Sequence, residues 1–509
     1  MPASPPVFDW DSPEDAERTW IWDAMHAARP LVPIQIEAED GSRVSMGARE
    51  FHTKVVEGYL YRSELPIPEA AADRGRTGAA IWAEVEPLCR EQAAAWLAED
   101  HRGTSARDLL DRVMALHQEG EGVWSWTMRP IAALQGEMSA LVEFCEQTVG
   151  ADGARLAAEL IVGGGDASSA AGATLGQLAR ESAEHPTVRE AILGGAFDGL
   201  AETAEGTAFL ARFETALAPY AWMASVWYDV RTPTWAQDPA TPLRLIQRFL
   251  RAPAENPLAA QDRAGRRQQE ATETMRAALP RDRHAELDRL TVATGDYQRI
   301  REERARYQLI AYGMQRRLFL ALGAALRADD WLADPEDVLF LRVSQIEQLL
   351  DGAAIGLEQV LTQQHADYAR WCETTPPPWL GAEPPHLDRV GLTGGPLVRE
   401  TTAAGVISGL AASGGSATGP ARVLHDIAEA PRVEPGDILV CRTTAPPWTP
   451  LFASVAAVVT DTGGVLCHTA IVAREYGLPC VVGTVDATRV IADGDQIHVD
   501  GDSGTVTIL

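Results

Sequence analysis

A proline-rich break near residue 380 divides this 509-residue chain into two stretches of unlike texture, and that division limits the folds open to it. Thr374-Thr375-Pro376-Pro377-Pro378 and Glu383-Pro384-Pro385 bracket a stiff segment, of the kind that serves as spacer or hinge. Residues 391–412, rich in Gly, Thr and Ala, continue the connection. Before the break, from about residue 12 to about 350, Ala, Leu, Glu and Arg dominate and β-branched runs are few. Residues 85–99, 154–162, 175–182, 280–290 and 299–327 read as helices. In the last, Tyr307, Ile310, Ala311, Met314, Leu318 and Leu322 recur at three- and four-residue steps, as one apolar helix face requires. After the break, short β-branched runs alternate with Gly and Asp at 421–424, 437–441, 456–460, 480–482, 496–499 and 505–509. A single helix interrupts them at 469–476, closed by Gly477 and followed by Pro479. The expectation is a large, mostly α-helical N-terminal domain over 1–371, a hinge linker over 372–405 and an α/β domain over 406–509.

Charge and residue usage exclude several roles. The chain has 44 Lys plus Arg against 72 Asp plus Glu, a net charge of −28, which repels phosphate backbones and anionic lipid. Neither nucleic acid nor a membrane surface is an expected partner. Lys54 is the sole lysine; unless it serves, P-loop and Schiff-base chemistry are excluded. Six scattered cysteines with no CxxC pair form neither a disulfide framework nor a zinc knuckle and suit a reducing cytoplasm. No apolar signal region opens the sequence and no run of about 18 apolar residues occurs, so a cytoplasmic location is expected. No metal site is expected.

The chemistry concentrates in Thr460-Asp461-Thr462-Gly463-Gly464-Val465-Leu466-Cys467-His468, which runs into the helix ending at Gly477. A buried strand ends at Thr460, the glycine pair turns the chain, and His468 falls at a helix start. An imidazole there lies beside free backbone N–H groups and the positive end of a helix dipole, a setting that favours a bound anion and a neutral, nucleophilic ring. Gly463 and Gly464 permit close approach of backbone to phosphate oxygens, and the Thr462 hydroxyl could add a hydrogen bond.

Thr-Gly-Gly-x-x-Cys-His-x-Ala-Ile-Val-Ala-Arg-Glu-x-Gly-x-Pro, with Val481-Val482-Gly483 and Asp493-Gly494 beyond it, resembles the phosphohistidine swivelling domain of PEP-utilising enzymes. Upstream, Gly436-Asp437-Ile438-Leu439-Val440 and Thr444-x-Pro446-x-Trp448-Thr449-Pro450-Leu451-Phe452 fit the same domain, and the match covers 406–509. The resemblance implies a swivelling β/β/α domain whose His468 carries a phosphoryl group between two sites. Trp10-Asp11-x-Pro13-Glu14-Asp15-Ala16, Trp20-x-Trp22-Asp23-x-Met25-His26 and Pro30-Leu31-x-Pro33 look like the start of a substrate domain of the rifampicin phosphotransferase, phenylphosphate synthase and PEP synthase group. Arg304-x-Arg306-Tyr307, Arg316-Arg317, Leu322-Gly323 and residues 335–341 extend that likeness. It implies phosphorylation of a hydroxyl on a small organic molecule held in the helical domain. No ATP-grasp segment or PEP-binding barrel is evident, so no tightly bound cofactor is expected. ATP and Mg²⁺ are expected to act through a separate ATP-grasp protein.

Each candidate has a structural alternative. His468 could cap or pack a strand–helix turn; Cys467 beside it reads as packing. Arg474, six residues on, lies about 240° round the helix and could bind phosphate or pair structurally. Trp22 and His26, four apart on an expected helix face, could line an aromatic pocket, with His26 as proton acceptor, or sit in the core. Arg304, Arg306, Arg316 and Arg317 could clamp a phosphoryl group or pair with Glu302, Glu303 and Glu336. Gly163-Gly164-Gly165-Asp166 reads as a helix–helix turn, Asp334–Asp337 as turn and cap, and His498 as structural. A dehydratase that eliminates the phosphate it adds, a phosphocarrier without acceptor chemistry, and an enzyme with a vestigial swivel domain remain open.

Overall fold

A computed structural model describes residues 10, 12–24, 26–46, 49–65, 73, 75–161, 167–224, 228–251, 257–374, 376–384, 405–465 and 467–509. Met25, Leu466, the Gly163–Asp166 turn and most of the expected hinge, 385–404, lie outside them.

After a short helix, Pro13–Glu17, the N-terminal stretch forms mainly strands where helices were expected. β1 (Thr19–Trp22), β2 (Arg43–Met46), β3 (Arg49–Val56), β4 (Tyr59–Leu65) and β5 (Trp379–Gly381) form one antiparallel sheet in the order β2-β3-β4-β1-β5. The cause is local. Phe51 and Thr53 bury alternate positions, and Glu57-Gly58 turns the hairpin with positive φ at both residues, 48° and 77°. A Cβ at Gly58 would lie 2.7 Å from Trp371 and 2.8 Å from Pro30, so the turn needs glycine for space as well as for φ. β5 falls within the stretch expected to serve as linker and is tied to β1.

A helical body follows, with helices Gly78–Ala98, Ala106–Met128, Ile131–Val149 and Ala167–Glu184 packed on one 45-residue helix, His284–Ala328, and helices Ala240–Arg251 and Pro257–Ala278 packed in turn on Ala167–Glu184. This long helix absorbs both the 280–290 and 299–327 segments. Thr294, fully buried, donates its hydroxyl to Leu290 O at 2.8 Å, and Tyr297 and Ile300 sink into the core. Tertiary burial there overrides the poor helix propensity of Thr291-Val292-Ala293-Thr294-Gly295.

The C-terminal sheet has eight strands in the order β6-β13-β12-β8-β9-β10-β11-β7. These are β6 (Val406–Ser408), β7 (Leu410–Ser413), β8 (Ser416–Leu424), β9 (Ile438–Cys441), β10 (Ala457–Thr460), β11 (Cys480–Val482), β12 (Gln496–Asp500) and β13 (Thr505–Ile508). β8, β9, β10 and β11 run parallel, and helix His468–Tyr476 makes the β10-to-β11 crossover. Such a crossover places the helix start at the carboxyl edge of the strands, where open α/β sheets bind ligands. One buried apolar cluster runs without a break from the helical body through Leu451, Phe452, Ala470 and Tyr476 of the C-terminal domain. Among the described residues no helix is long and apolar enough to cross a membrane.

Candidate functional site

The turn before His468 is assembled from main-chain bonds. Asp461, its carboxyl pushed up to about 6 by burial, accepts the Thr488 amide at 2.9 Å. Gly463 takes a φ of 114°, and a Cβ there would meet Cys467 Sγ at 2.8 Å. Cys467 thus packs the turn, and its amide donates to Gly464 O at 2.9 Å. His468 begins the helix that follows and is 6% exposed. Its Nε2 lies 3.3 Å from Thr449 Oγ1, and its Nδ1 lies 3.3 Å from Oε1 of Glu302 on the long helix. The C-terminal domain is therefore docked with its histidine inside the helical body.

The cleft around that histidine holds about 20 Å³, room for one water-sized group. His26, Arg301, Glu302, Arg304, Gln308 and Gly463 are among its walls, with Thr443, Thr444 and Thr469 on the C-terminal side. Arg304 is buried, contacting Met128 Sδ at 3.1 Å and Gln308 Oε1 at 3.5 Å. Burial, reinforced by neighbouring Arg301, lowers its pKa to about 10. Arg304 Nε and Arg301 Nη1 are buried without a hydrogen-bond partner among the described residues. Two under-partnered guanidinium groups facing one histidine form a site for an oxyanion.

His26 enters from the other wall. Its Nδ1 is 2.9 Å from Asp23 Oδ1, and Asp23 Oδ2 accepts Arg62 Nε at 2.7 Å. Burial alone would raise the Asp23 carboxyl; the charges of His26 and Arg62 outweigh it and hold the group well below the carboxylate range. A carboxylate on Nδ1 favours the tautomer that carries its proton there.

The remaining sequence candidates fall elsewhere. Trp22 ends a strand and His26 lies in the turn after it, so the two do not share a helix face; Trp22 packs edge-on to Tyr59 and beneath Arg442. The pairing of β1 with β4 and β5 overrides the helical spacing. Thr462 gives its hydroxyl to Arg442 O at 3.1 Å, and Arg474 donates to Val465 O at 2.7 Å. Gly464 serves the turn and is not a wall of the cleft. Arg306 is exposed and stacks near Tyr307; Arg316 binds Val230 O and Glu336; Arg317 binds Glu99 O. Asp334 caps the 335–340 turn, as its sequence suggests, and His498 pairs with Thr418 between strands. Sequence reasoning overlooked Asp23, Arg301, Gln308 and the role of Glu302. The Asp23-x-x-His26 spacing was a readable signal; Glu302 carried none, because its partner is 166 residues away.

A buried histidine on a strand–turn–helix motif is seated against buried arginines of a helical host. Residues 433–504 match the family described as PEP-utilising enzyme, mobile domain, and residues 127–302 match the rifampicin phosphotransferase fourth domain. The chain thus carries the mobile domain of PEP-utilising enzymes joined to a rifampicin-phosphotransferase-type helical domain. Among curated relatives, it is 28% identical to chondramide synthase cmdD of Chondromyces crocatus over 99% of this chain and 14% of that one. It is 32% identical to rifampicin phosphotransferase of Streptomyces sviceus over 68% of this chain and 40% of that one. Over 17% of this chain and 12% of the relative it is 50% identical to phosphoenolpyruvate synthase of Escherichia coli. The chain spans less than half the length of these relatives.

Proposed function

We propose that the chain transfers a phosphoryl group from phospho-His468 to a hydroxyl of a small organic molecule bound in the helical domain. The observation that carries this reading is the pair of buried, incompletely partnered arginines, Arg301 and Arg304, opposite a docked histidine. A separate ATP-grasp protein, using ATP and Mg²⁺, would load His468 while the C-terminal domain is swung away.

With the proton on Nδ1, the His468 ring offers its Nε2 lone pair to phosphorus, and the loaded ring is cationic. Glu302 then accepts the Nδ1–H at the acceptor site. The P–N bond breaks to leave a neutral imidazole, a better leaving group than its anion. The acceptor oxygen forms the new P–O bond and passes its proton to His26 Nε2. Arg301 and Arg304 neutralise the phosphoryl oxygens in flight. The tight cleft keeps water from the labile P–N bond.

To test this, the chain is labelled with an ATP-grasp partner and γ- or β-labelled ATP, purified, and chased with candidate alcohols. Acid-labile label should move to the alcohol, whose mass gains a phosphate. A product that has lost water would instead mark the dehydratase, and label that never leaves the protein in any chase would mark a carrier without acceptor chemistry. Glu302→Gln should slow the chase by about tenfold to a hundredfold, in line with one lost charge-assisted hydrogen bond in the transition state. Loading should be spared, because Glu302 meets His468 only in the docked arrangement; an equal loss in both steps would refute that division.

A further inference from the structure

The helix His468–Tyr476 has only nine residues, and the helical body contacts it at both ends. At its start, Glu302 Oε1 lies 3.3 Å from His468 Nδ1. At its finish, Arg267 of helix Pro257–Ala278 donates through Nη2 to Arg474 O at 2.7 Å and to Glu475 O at 2.5 Å.

The last carbonyls of any helix lack partners within it and carry the negative end of its dipole, so a cation there is favourable. This helix caps itself in part. Gly477, at a φ of 69°, turns the chain so that Leu478 N donates to Ala473 O at 2.9 Å and Gly477 N to Arg474 O at 3.1 Å. Arg267 adds to that cap from the other domain. Its guanidinium lies flush over the turn, where a Cβ at Gly477 would stand 2.7 Å from Nη1. It is also braced from behind: Arg267 Nε donates to Glu159 Oε2 at 3.1 Å. The next residue, Gln268, donates to Leu160 O at 2.9 Å, at the end of helix Gly153–Leu160. Two consecutive side chains thus cap two helices, one of the host body and one of the docked domain.

A short helix held at its far end moves as a rod. From Arg474 back to His468 is about 9 Å, so a tilt of about 6° carries the imidazole by about 1 Å. A misplacement of that size costs a transfer reaction about a hundredfold. We propose that Arg267 is a positioning residue for phosphoryl transfer: in the docked arrangement it caps the carrier helix and thereby holds His468 at Glu302. It touches neither the phosphoryl group nor the acceptor. The role in transfer rests on the reading given above; the grip on His468 does not, and the two are tested apart.

The first measurement uses no phosphate. The whole, unphosphorylated chain is treated with diethyl pyrocarbonate, and carbethoxylation is followed by peptide mass spectrometry at His468 and at His498. His498, on β12 of the same domain and paired with Thr418, is the internal reference. Arg267→Met keeps an apolar stem and loses both donors. It should raise the rate at His468 by about tenfold and leave His498 unchanged. Arg267→Lys, with a single ammonium in place of the fork, should recover part of the protection. A melting curve establishes that each variant is folded. An unchanged rate at His468 in folded Arg267→Met would overturn the grip, and so would an equal rise at both histidines, the mark of a loosened domain. The second measurement is the label chase. Arg267→Met should load His468 at the wild-type rate and transfer about tenfold to a hundredfold more slowly; equal losses in loading and transfer would overturn the positioning role. If the wild type takes no label from any donor, the transfer reading fails, and the histidine labelling still decides whether Arg267 holds the carrier helix.

Discussion

His468→Ala is expected to take no acid-labile label from any ATP-grasp partner and to lose acceptor phosphorylation by about four orders of magnitude or more, as removal of a covalent nucleophile does. The side chain occupies the first position of a nine-residue helix, where alanine is well tolerated, so the variant should fold and dock. Its two contacts, to Thr449 and Glu302, are both long at 3.3 Å, and little stability depends on them. Full activity in this variant would show that chemistry in the helical domain proceeds without a phosphohistidine and that the C-terminal domain is an inherited scaffold.

Changes at the Asp23–His26 pair should separate loading from transfer. His26→Ala is expected to cut transfer to the acceptor by about a hundredfold to ten-thousandfold, the usual worth of a positioned base. It should leave loading of His468 intact, since His26 belongs to the helical domain. Asp23→Ala should do more, because it also strands Arg62, only 1% exposed, without its carboxylate. Removing one partner of such a buried pair costs about 3–5 kcal/mol, which a denaturant midpoint would register. The pH dependence follows from the depressed folded-state pKa of Asp23. Its contribution is complete above the unfolded-state value near ~4 and is lost progressively as pH falls below it. Wild type should therefore lose stability on acidification more steeply than Asp23→Ala. A parallel acid profile in the two proteins would mean that the pair does not carry this linkage.

The C-terminal sheet and its histidine were legible because the information there is local. Each β-branched run is bounded by Gly, Asp or Pro, and the Gly463-Gly464 turn, the helix and the Gly477 stop lie within 15 residues of one another. The edge strands β6 and β7 escaped notice because Gly and Ala dominate the stretch that contains them. The N-terminal sheet was hidden for another reason. β1 completes its pairing with β5, some 360 residues away, and the only nearby cue was Glu57-Gly58 between two apolar runs. The acceptor side of the cleft was the least readable part. Arg304 and Arg316 have the same residue type and similar burial, yet one faces His468 and the other binds Val230 O and Glu336. Only the packing of the long helix tells them apart.

Around the docked domain, Arg29, Arg248, Arg267 and Arg442 reach across from one body to the other, and every one of them grips a main-chain carbonyl: His425 O, Val433 O, Arg474 O and Ala28 O. A carbonyl is present whatever side chain the residue carries. Side chains add to the fastening, Arg29 to Asp426 at 2.7 Å and Arg248 to Ser454 at 2.9 Å, but the carbonyl contacts would survive amino-acid replacement at the gripped positions. Under the proposed transfer, side chains on the C-terminal domain can adapt to a donor while these carbonyl contacts of the docked state stay the same. On that proposal, two recognition problems that one set of side chains would otherwise have to solve are divided in part between main-chain and side-chain atoms.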